Sequence, residues 1–205
     1  MKIVVATHNK DKFKELIHGL NTLNVSLLSL DSYPEIGEII EDGDTLKENA
    51  LIKARTVFKL TGLPAISDDT GLEVDALNGE PGIYSARYAG EDCNYIDNVN
   101  KMLLEMENIH DPNRSARFRT VMAYVDKNTE LTAEGIVKGV ISQKIKGLGG
   151  FGYDSIFYVI EKKKTFAEMT IEEKNLISHR SRAIDAIKAK LASYLDTLKS
   201  TKETA

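Results

Sequence analysis

Two adjacent carboxylates inside an apolar stretch constrain this chain more tightly than any other feature. Ala65-Ile66 and Leu72-Glu73-Val74 read as extended segments on either side of the polar insert Ser67-Asp68-Asp69-Thr70-Gly71. On an extended backbone neighbouring side chains point to opposite faces, so Asp68 and Asp69 are expected to have different tasks. Burying two carboxylates close together is costly unless a cation compensates. The same residue types also suit a turn, but their apolar flanks favour function.

Around this insert the chain reads as an α/β protein. Ile3-Val4-Val5-Ala6 is a short β-branched run, and it gives way at Thr7-His8-Asn9 to a segment in which Phe13, Leu16, Ile17 and Leu20 recur at helical spacing. Val25 to Leu30 predicts a second strand. The stretch from Asp31 to Asp44 predicts a long loop with Ile39-Ile40 extended, and loops of this length usually carry function. Leu46, Ala50, Ala54, Val57 and Phe58 form a helical stripe, opened by the capping pair Thr45 and Glu48 and closed by Gly62-Leu63-Pro64. Val99, Met102, Leu103 and Met106 mark another helical face.

Ala116 to Asp126 and Glu130 to Ile141 are β-rich runs separated by Lys127-Asn128-Thr129, the pattern of an antiparallel hairpin, and Ser155 to Ile160 is a further extended run. Ile184, Ile187, Leu191, Leu195 and Leu198 mark a long C-terminal helix that frays into the polar tail Lys199 to Ala205. A β-α-β opening followed by antiparallel strands gives a mixed sheet rather than a purely parallel one.

Three further clusters carry chemistry. Thr7-His8-Asn9-Lys10-Asp11-Lys12 lies where a strand ends and a helix begins, and unpaired N–H groups at a helix N-terminus attract anions. A capped helix with solvated lysines has the same residues. Glu48, Asn49 and Lys53 lie on one helix, with Glu41 in the preceding loop. Asn49 and Lys53 share a face from which Lys53 could reach the carboxylates, although Glu48 and Lys53 taken alone read as solvated helix charges. The third runs from Lys146 to Asp154, with Lys174 and Ser178-His179-Arg180 downstream. Gly147, Gly149 and Gly152 satisfy a dinucleotide-binding pattern, but an extended run follows them instead of the helix that pattern requires. They read as a close-approach loop presenting Phe151 and Asp154, which suits a purine's need for a stacking surface and a few edge hydrogen bonds. A glycine-rich hairpin with a core Phe is the plainer alternative.

A net charge of −4 and a pI near 5.7 argue against a nucleic-acid backbone as partner. The single cysteine, Cys93, can form no intrachain disulfide, so a reducing compartment is expected. The N-terminal apolar run is too short for a signal peptide, and no stretch approaches the ~20 apolar residues of a membrane span. Cytoplasmic location and no membrane partner are the expectation. At 205 residues, one domain with two lobes over residues 1–198 is expected, followed by the polar tail 199–205.

Taken in order, these segments resemble the inosine triphosphate pyrophosphatase family, the RdgB-like enzymes that cleave non-standard purine nucleoside triphosphates. The match runs from Thr7–Lys12 through Glu48-Asn49-Ala50, Ser67–Leu72, Pro81–Tyr88, Phe151–Asp154 and Ser178-His179-Arg180. The resemblance implies an inosine triphosphatase-like fold, an elongated mixed β-sheet flanked by helices, with two lobes and a central nucleotide cleft. It also implies a homodimer that hydrolyses ITP, dITP and XTP to the monophosphate and pyrophosphate with Mg²⁺, clearing such nucleotides before they enter DNA or RNA.

By the same resemblance Thr7, His8, Asn9, Lys10, Asp11 and Lys12 bind the triphosphate, and Lys53 contacts phosphate near the scissile bond. Glu41 and Asp69 hold Mg²⁺, with Asp69 also the proton acceptor and Asp68 supporting it. Thr70, Phe151, Gly152, Tyr153, Asp154, Lys174, His179 and Arg180 form the substrate pocket. His8 departs from the glycine of many members and restricts the backbone there. Thr70 replaces the common serine and keeps its hydroxyl. The competing readings are a Maf-like pyrophosphatase acting on modified pyrimidine nucleotides and a purine sensor without hydrolysis.

Overall fold

In the computed structural model the described residues are 1–203. They form strands β1 (Lys2–Val5), β2 (Ser26–Ser29), β3 (Ala65–Val74), β4 (Pro81–Gly82), β5 (Ser115–Val125), β6 (Glu130–Ile141), β7 (Phe157–Val159) and β8 (Lys164–Thr165). The helices are α1 (Lys10–Leu20), α2 (Leu46–Thr61), α3 (Tyr95–Glu105), α4 (Ile171–Asn175) and α5 (His179–Glu203). The strands make a mixed sheet in the order β2-β1-β3-β5-β6-β7-β8, with β4 paired to β3. β1 runs parallel to β2 and β3, whereas β3–β4, β6–β7 and β7–β8 are antiparallel. This is the mixed α/β architecture expected.

The polar insert does not interrupt its strand. Ala65 to Val74 is one extended segment, nearly all of it buried. Gly71 permits this, because a Cβ there would lie 2.6 Å from the carbonyl oxygen of Gly82 on β4. The long loop contains two 3₁₀ turns, Leu30–Ser32 and Pro34–Ile36, and Ile39-Ile40 joins no strand. The C-terminal helix begins five residues before Ile184, at His179, and runs to Glu203; the end of the expected polar tail, residues 204 and 205, lies outside the described residues. Lys199 there pairs with Asp196 at 3.0 Å, one turn back.

The chain divides into two compact units. The first comprises 1–69, 120–135 and the segment from Ser181 onward, and its core gathers Ile3, Val5, Leu16, Leu20, Ile66, Met122, Tyr124, Ile184, Ile187 and Leu191. Burying each such aliphatic side chain contributes roughly 1.5–3 kcal/mol, which explains why α1 and α5 present their periodic faces inward. The second comprises 70–119 and 136–180 around Leu72, Val74, Val99, Met102, Met106, Phe118, Phe157 and Phe166. In it the buried Arg114 donates to the carbonyls of Met106, Ile109, Ile141 and Ser142, which ties the end of α3 to β6. The chain leaves the first unit for the second between Asp69 and Thr70, inside β3.

Candidate active site

In the first unit, β1 ends where α1 starts, and Asn9 caps the helix. Its Oδ1 accepts from the backbone N–H of Asp11 at 3.0 Å and of Lys12 at 3.1 Å. Thr7 Oγ1 accepts from the N–H of Asn9 at 3.1 Å. These side chains shape the turn from within. Lys12 then reaches β3, its Nζ 3.2 Å from Asp68 Oδ2. Lys10 and Asp11 are exposed, and Asp11 faces Lys14.

The other carboxylate of the pair meets a different lysine. Lys53 Nζ lies 3.2 Å from Asp69 Oδ1 and donates to Glu41 Oε2 at 2.6 Å. Glu41 sits in the long loop, and α2 fastens the end of that loop. Asn49 Oδ1 accepts from Gly43 N–H at 2.9 Å, and Glu48 Oε2 accepts from Asp44 N–H at 2.9 Å. Thr45 Oγ1 caps α2 by accepting from Glu48 N–H, while the Glu48 carboxylate takes the N–H of Asp44 and the Thr45 hydroxyl instead of the Thr45 N–H of a full capping box. Neighbouring Asp68 and Asp69 thus meet different lysines.

Lys12 meets Asp68, and Lys53 alone meets both Asp69 and Glu41, so at Lys53 one ammonium faces two carboxylates. Burial is the largest influence on Lys53 and by itself would lower its pKa, but the carboxylates of Asp69, Glu41 and Asp68 outweigh it and hold the ammonium raised. Asp69 is also raised. Burial drives this, against the pull of Lys53 and Lys12 and with help from Glu41. Asp69 Oδ2 is buried without a hydrogen-bond partner, and surplus negative charge beside such an oxygen suits a cation. Among the described residues no three His, Cys, Asp or Glu side chains converge as a metal group. A pair of carboxylates fits a hard ion that keeps much of its water and shares its shell with phosphate oxygens, as Mg²⁺ does.

The second unit holds the remaining residues. Phe151 N–H donates to Asp154 Oδ2 at 2.9 Å, and Lys174 Nζ donates to the same oxygen at 2.6 Å. Lys174 Nζ stands 4.8 Å from the Phe151 ring centroid and Arg180 Cζ 5.6 Å from it. Arg180 Nη2 donates to Thr70 Oγ1 at 3.2 Å. The His179 ring stacks on Phe118, with centroids 4.5 Å apart and planes 18° apart. Gly152 takes a positive φ of 61°, and Tyr153 turns into the core, where its hydroxyl donates to Ser85 O at 2.9 Å. A hollow of about 190 Å³ opens beside Phe151, lined by Tyr95, Ile96, Val99 and the glycine loop.

Several contributors escaped the sequence reading. Phe118 lies on the buried face of β5, and its alternation with Ala116 and Thr120 was the available signal. Tyr95, whose ring centroid lies 6.1 Å from that of Phe151, opens α3 with no pattern to mark it. Asn49, which shares a helical face with Lys53, holds the loop through Gly43 N–H.

Fold and side chains together define an open, mixed-sheet α/β protein with a lysine-matched acidic cluster on its third strand. A family model described as the Ham1 family matches residues 3–190, and the chain belongs to that family. It is 48% identical to the dITP/XTP pyrophosphatase of Desulforamulus reducens over 90% of this chain and 92% of that one. With the protein of the same name from Geobacter sulfurreducens the identity is 46%, covering 91% and 94%. The structure of a HAM1 protein from Coxiella burnetii superposes with a TM-score of 0.87 at 38% identity, over 94% of this chain and 99% of that one. The Staphylococcus aureus Ham1 protein gives 0.86 at 36%, over 95% and 100%. No described helix is long and apolar enough to cross a membrane.

Proposed function

We propose that this chain hydrolyses non-standard purine nucleoside triphosphates, dITP, XTP and ITP, to the monophosphate and pyrophosphate. The observation that carries the reading is that neighbouring Asp68 and Asp69 are each matched to a lysine from a different helix, Lys12 and Lys53. Relatives named dITP/XTP pyrophosphatase at 48% and 46% identity support the substrate class. The enzyme acts as a hydrolase of nucleotide metabolism.

In this reading Lys12 and Lys53 neutralise the triphosphate, and water attacks the α-phosphorus. Phosphoryl transfer asks the protein chiefly to position groups and balance developing charge. Glu41 and Asp69 would hold Mg²⁺, which would supply further neutralisation of the phosphates. Asp69 is the better proton acceptor of the acidic pair. Its side chain keeps 12% exposure against 0% for Asp68, and its raised pKa makes it a stronger base than an ordinary carboxylate.

In the second unit Phe151, Lys174, His179 and Arg180 would recognise the purine. A six-position carbonyl matches donors such as Arg180 and Lys174, whereas adenine's amino group sets donor against donor, at about 1–3 kcal/mol for each unmatched buried group. Cytoplasmic action on the nucleotide pool and a homodimeric assembly complete the proposal.

The test is a steady-state panel of dITP, XTP, dGTP, dATP and dTTP with pyrophosphate detection, run with Mg²⁺ and with a chelator. Turnover of dITP and XTP that stops on chelation supports the reading. Preference for dTTP, or binding without product, contradicts it.

A further inference from the structure

The side chain of His8, at the β1–α1 junction, turns toward the long loop. Its Nε2 lies 3.0 Å from Gly37 O, and its Nδ1 lies 3.4 Å from Asp31 Oδ1. Among the described residues only Asn78 and Lys163 combine a side chain with positive φ, so His8 occupies its place without the backbone strain that a glycine-requiring turn would impose.

Glu41 lies between two tethers on this loop. One is His8 to the Gly37 carbonyl, and the other is Asn49 Oδ1 to the Gly43 N–H at 2.9 Å. The four residues from Gly37 to Glu41 span at most about 14 Å when extended, so a fixed Gly37 limits where Glu41 can stand.

We propose that His8 is a positioning residue, whose imidazolium latches the Gly37 end of the loop and thereby holds Glu41 beside Lys53 and Asp69. The inference rests on the reading of Glu41 as a metal-holding group. Only the doubly protonated ring donates to both partners at once. A neutral ring has one N–H, and whichever nitrogen is bare then faces an oxygen that cannot donate to it. The charged groups facing the ring are Asp31 and Glu38, both acidic. Donation to the Gly37 carbonyl, opposed by partial burial and aided by Asp31 and Glu38, raises the His8 pKa. Because the folded pKa is raised, the latch is complete at low pH and loosens as pH rises through that value.

The experiment compares wild type, His8→Ala and His8→Gln by hydrogen exchange of segment 37–44 without metal, at about pH 6 and about pH 8, on either side of the ordinary imidazole range. The Mg²⁺ concentration giving half-maximal dITP hydrolysis is read alongside. After correction for intrinsic chemistry, the wild-type segment is expected to exchange more slowly at the lower pH. His8→Ala should exchange faster and lose the pH dependence. His8→Gln, which keeps one amide donor for the Gly37 carbonyl, should lie between them and be insensitive to pH. Half-saturation by Mg²⁺ should rise about three- to tenfold in His8→Ala, the range expected for one hydrogen bond. Identical exchange in wild type and His8→Ala overturns the latch. An inactive wild type overturns the functional reading instead, and the exchange data still decide the latch.

Discussion

The ammonium of Lys53 lies 3.2 Å from Asp69 Oδ1, and less than a tenth of either residue's surface is exposed. A helix and a strand have thus been assembled around a charge pair that is costly to bury. The same lysine also donates to Glu41 Oε2 at 2.6 Å, so one ammonium is shared by two carboxylates, and Lys12 adds its own pull on Asp69.

Replacing Lys53 with alanine therefore has two consequences. Asp69 and Glu41 lose their shared counter-charge, and unfolding free energy should fall by about 3 kcal/mol, the low end for a broken buried pair because the Glu41 side chain is partly exposed. Urea unfolding monitored by circular dichroism measures this. The rate constant for dITP should fall about 10²-fold or more through lost charge stabilisation, and an unchanged rate would move Lys53 out of the reaction.

Replacing Asp69 with asparagine should nearly abolish turnover, by about 10²–10⁴-fold, without loss of fold. The sign of its stability effect follows from its raised pKa. A carboxyl more easily protonated in the folded than in the unfolded chain costs stability as pH climbs from its ordinary value through its folded value. Asp69→Asn is free of that cost, so its melting temperature should equal or exceed that of wild type at neutral pH, with the difference shrinking as pH falls through the same window. In wild type, kcat/KM should fall on acidification through the raised Asp69 pKa, as its base becomes protonated. Thermal melts and rate profiles across pH check both statements.

Gly150 tests the second unit. Its φ is +73°, and a Cβ there would stand 2.1 Å from Asp154 Oδ2, the oxygen that receives both Phe151 N–H and Lys174 Nζ. Gly150→Ala should break that junction and raise KM for dITP more than it lowers kcat, because it disturbs the residues proposed to recognise the purine and spares the acidic cluster. An equal loss in both parameters would show that the loop serves the chemistry directly.

Legibility in the sequence followed the range of the forces involved. The Thr45 cap, the α2 stripe and the hairpin of β5 and β6 were readable because capping and periodicity act over a few residues. Lys53 was readable as a lysine that could reach the carboxylates, but that it meets Asp69 while Lys12 meets Asp68 depends on how β1, α1 and α2 meet β3. Ile39-Ile40 looked extended by composition, yet Ile40 is left 79% exposed in a loop. Tyr153 stood inside a motif read as substrate-binding, and only packing shows its ring in the core, bonded to a residue 68 positions away. His8 gave no hint of its partners, for Asp31 and Gly37 lie 23 and 29 residues distant.

The most direct measurement of the central claim is a turnover of dITP in ¹⁸O-labelled water, with both products analysed by mass spectrometry. Attack of water on the α-phosphorus predicts one labelled oxygen in the monophosphate and unlabelled pyrophosphate. Release of orthophosphate with a diphosphate nucleotide, or label appearing in the pyrophosphate, would contradict the account.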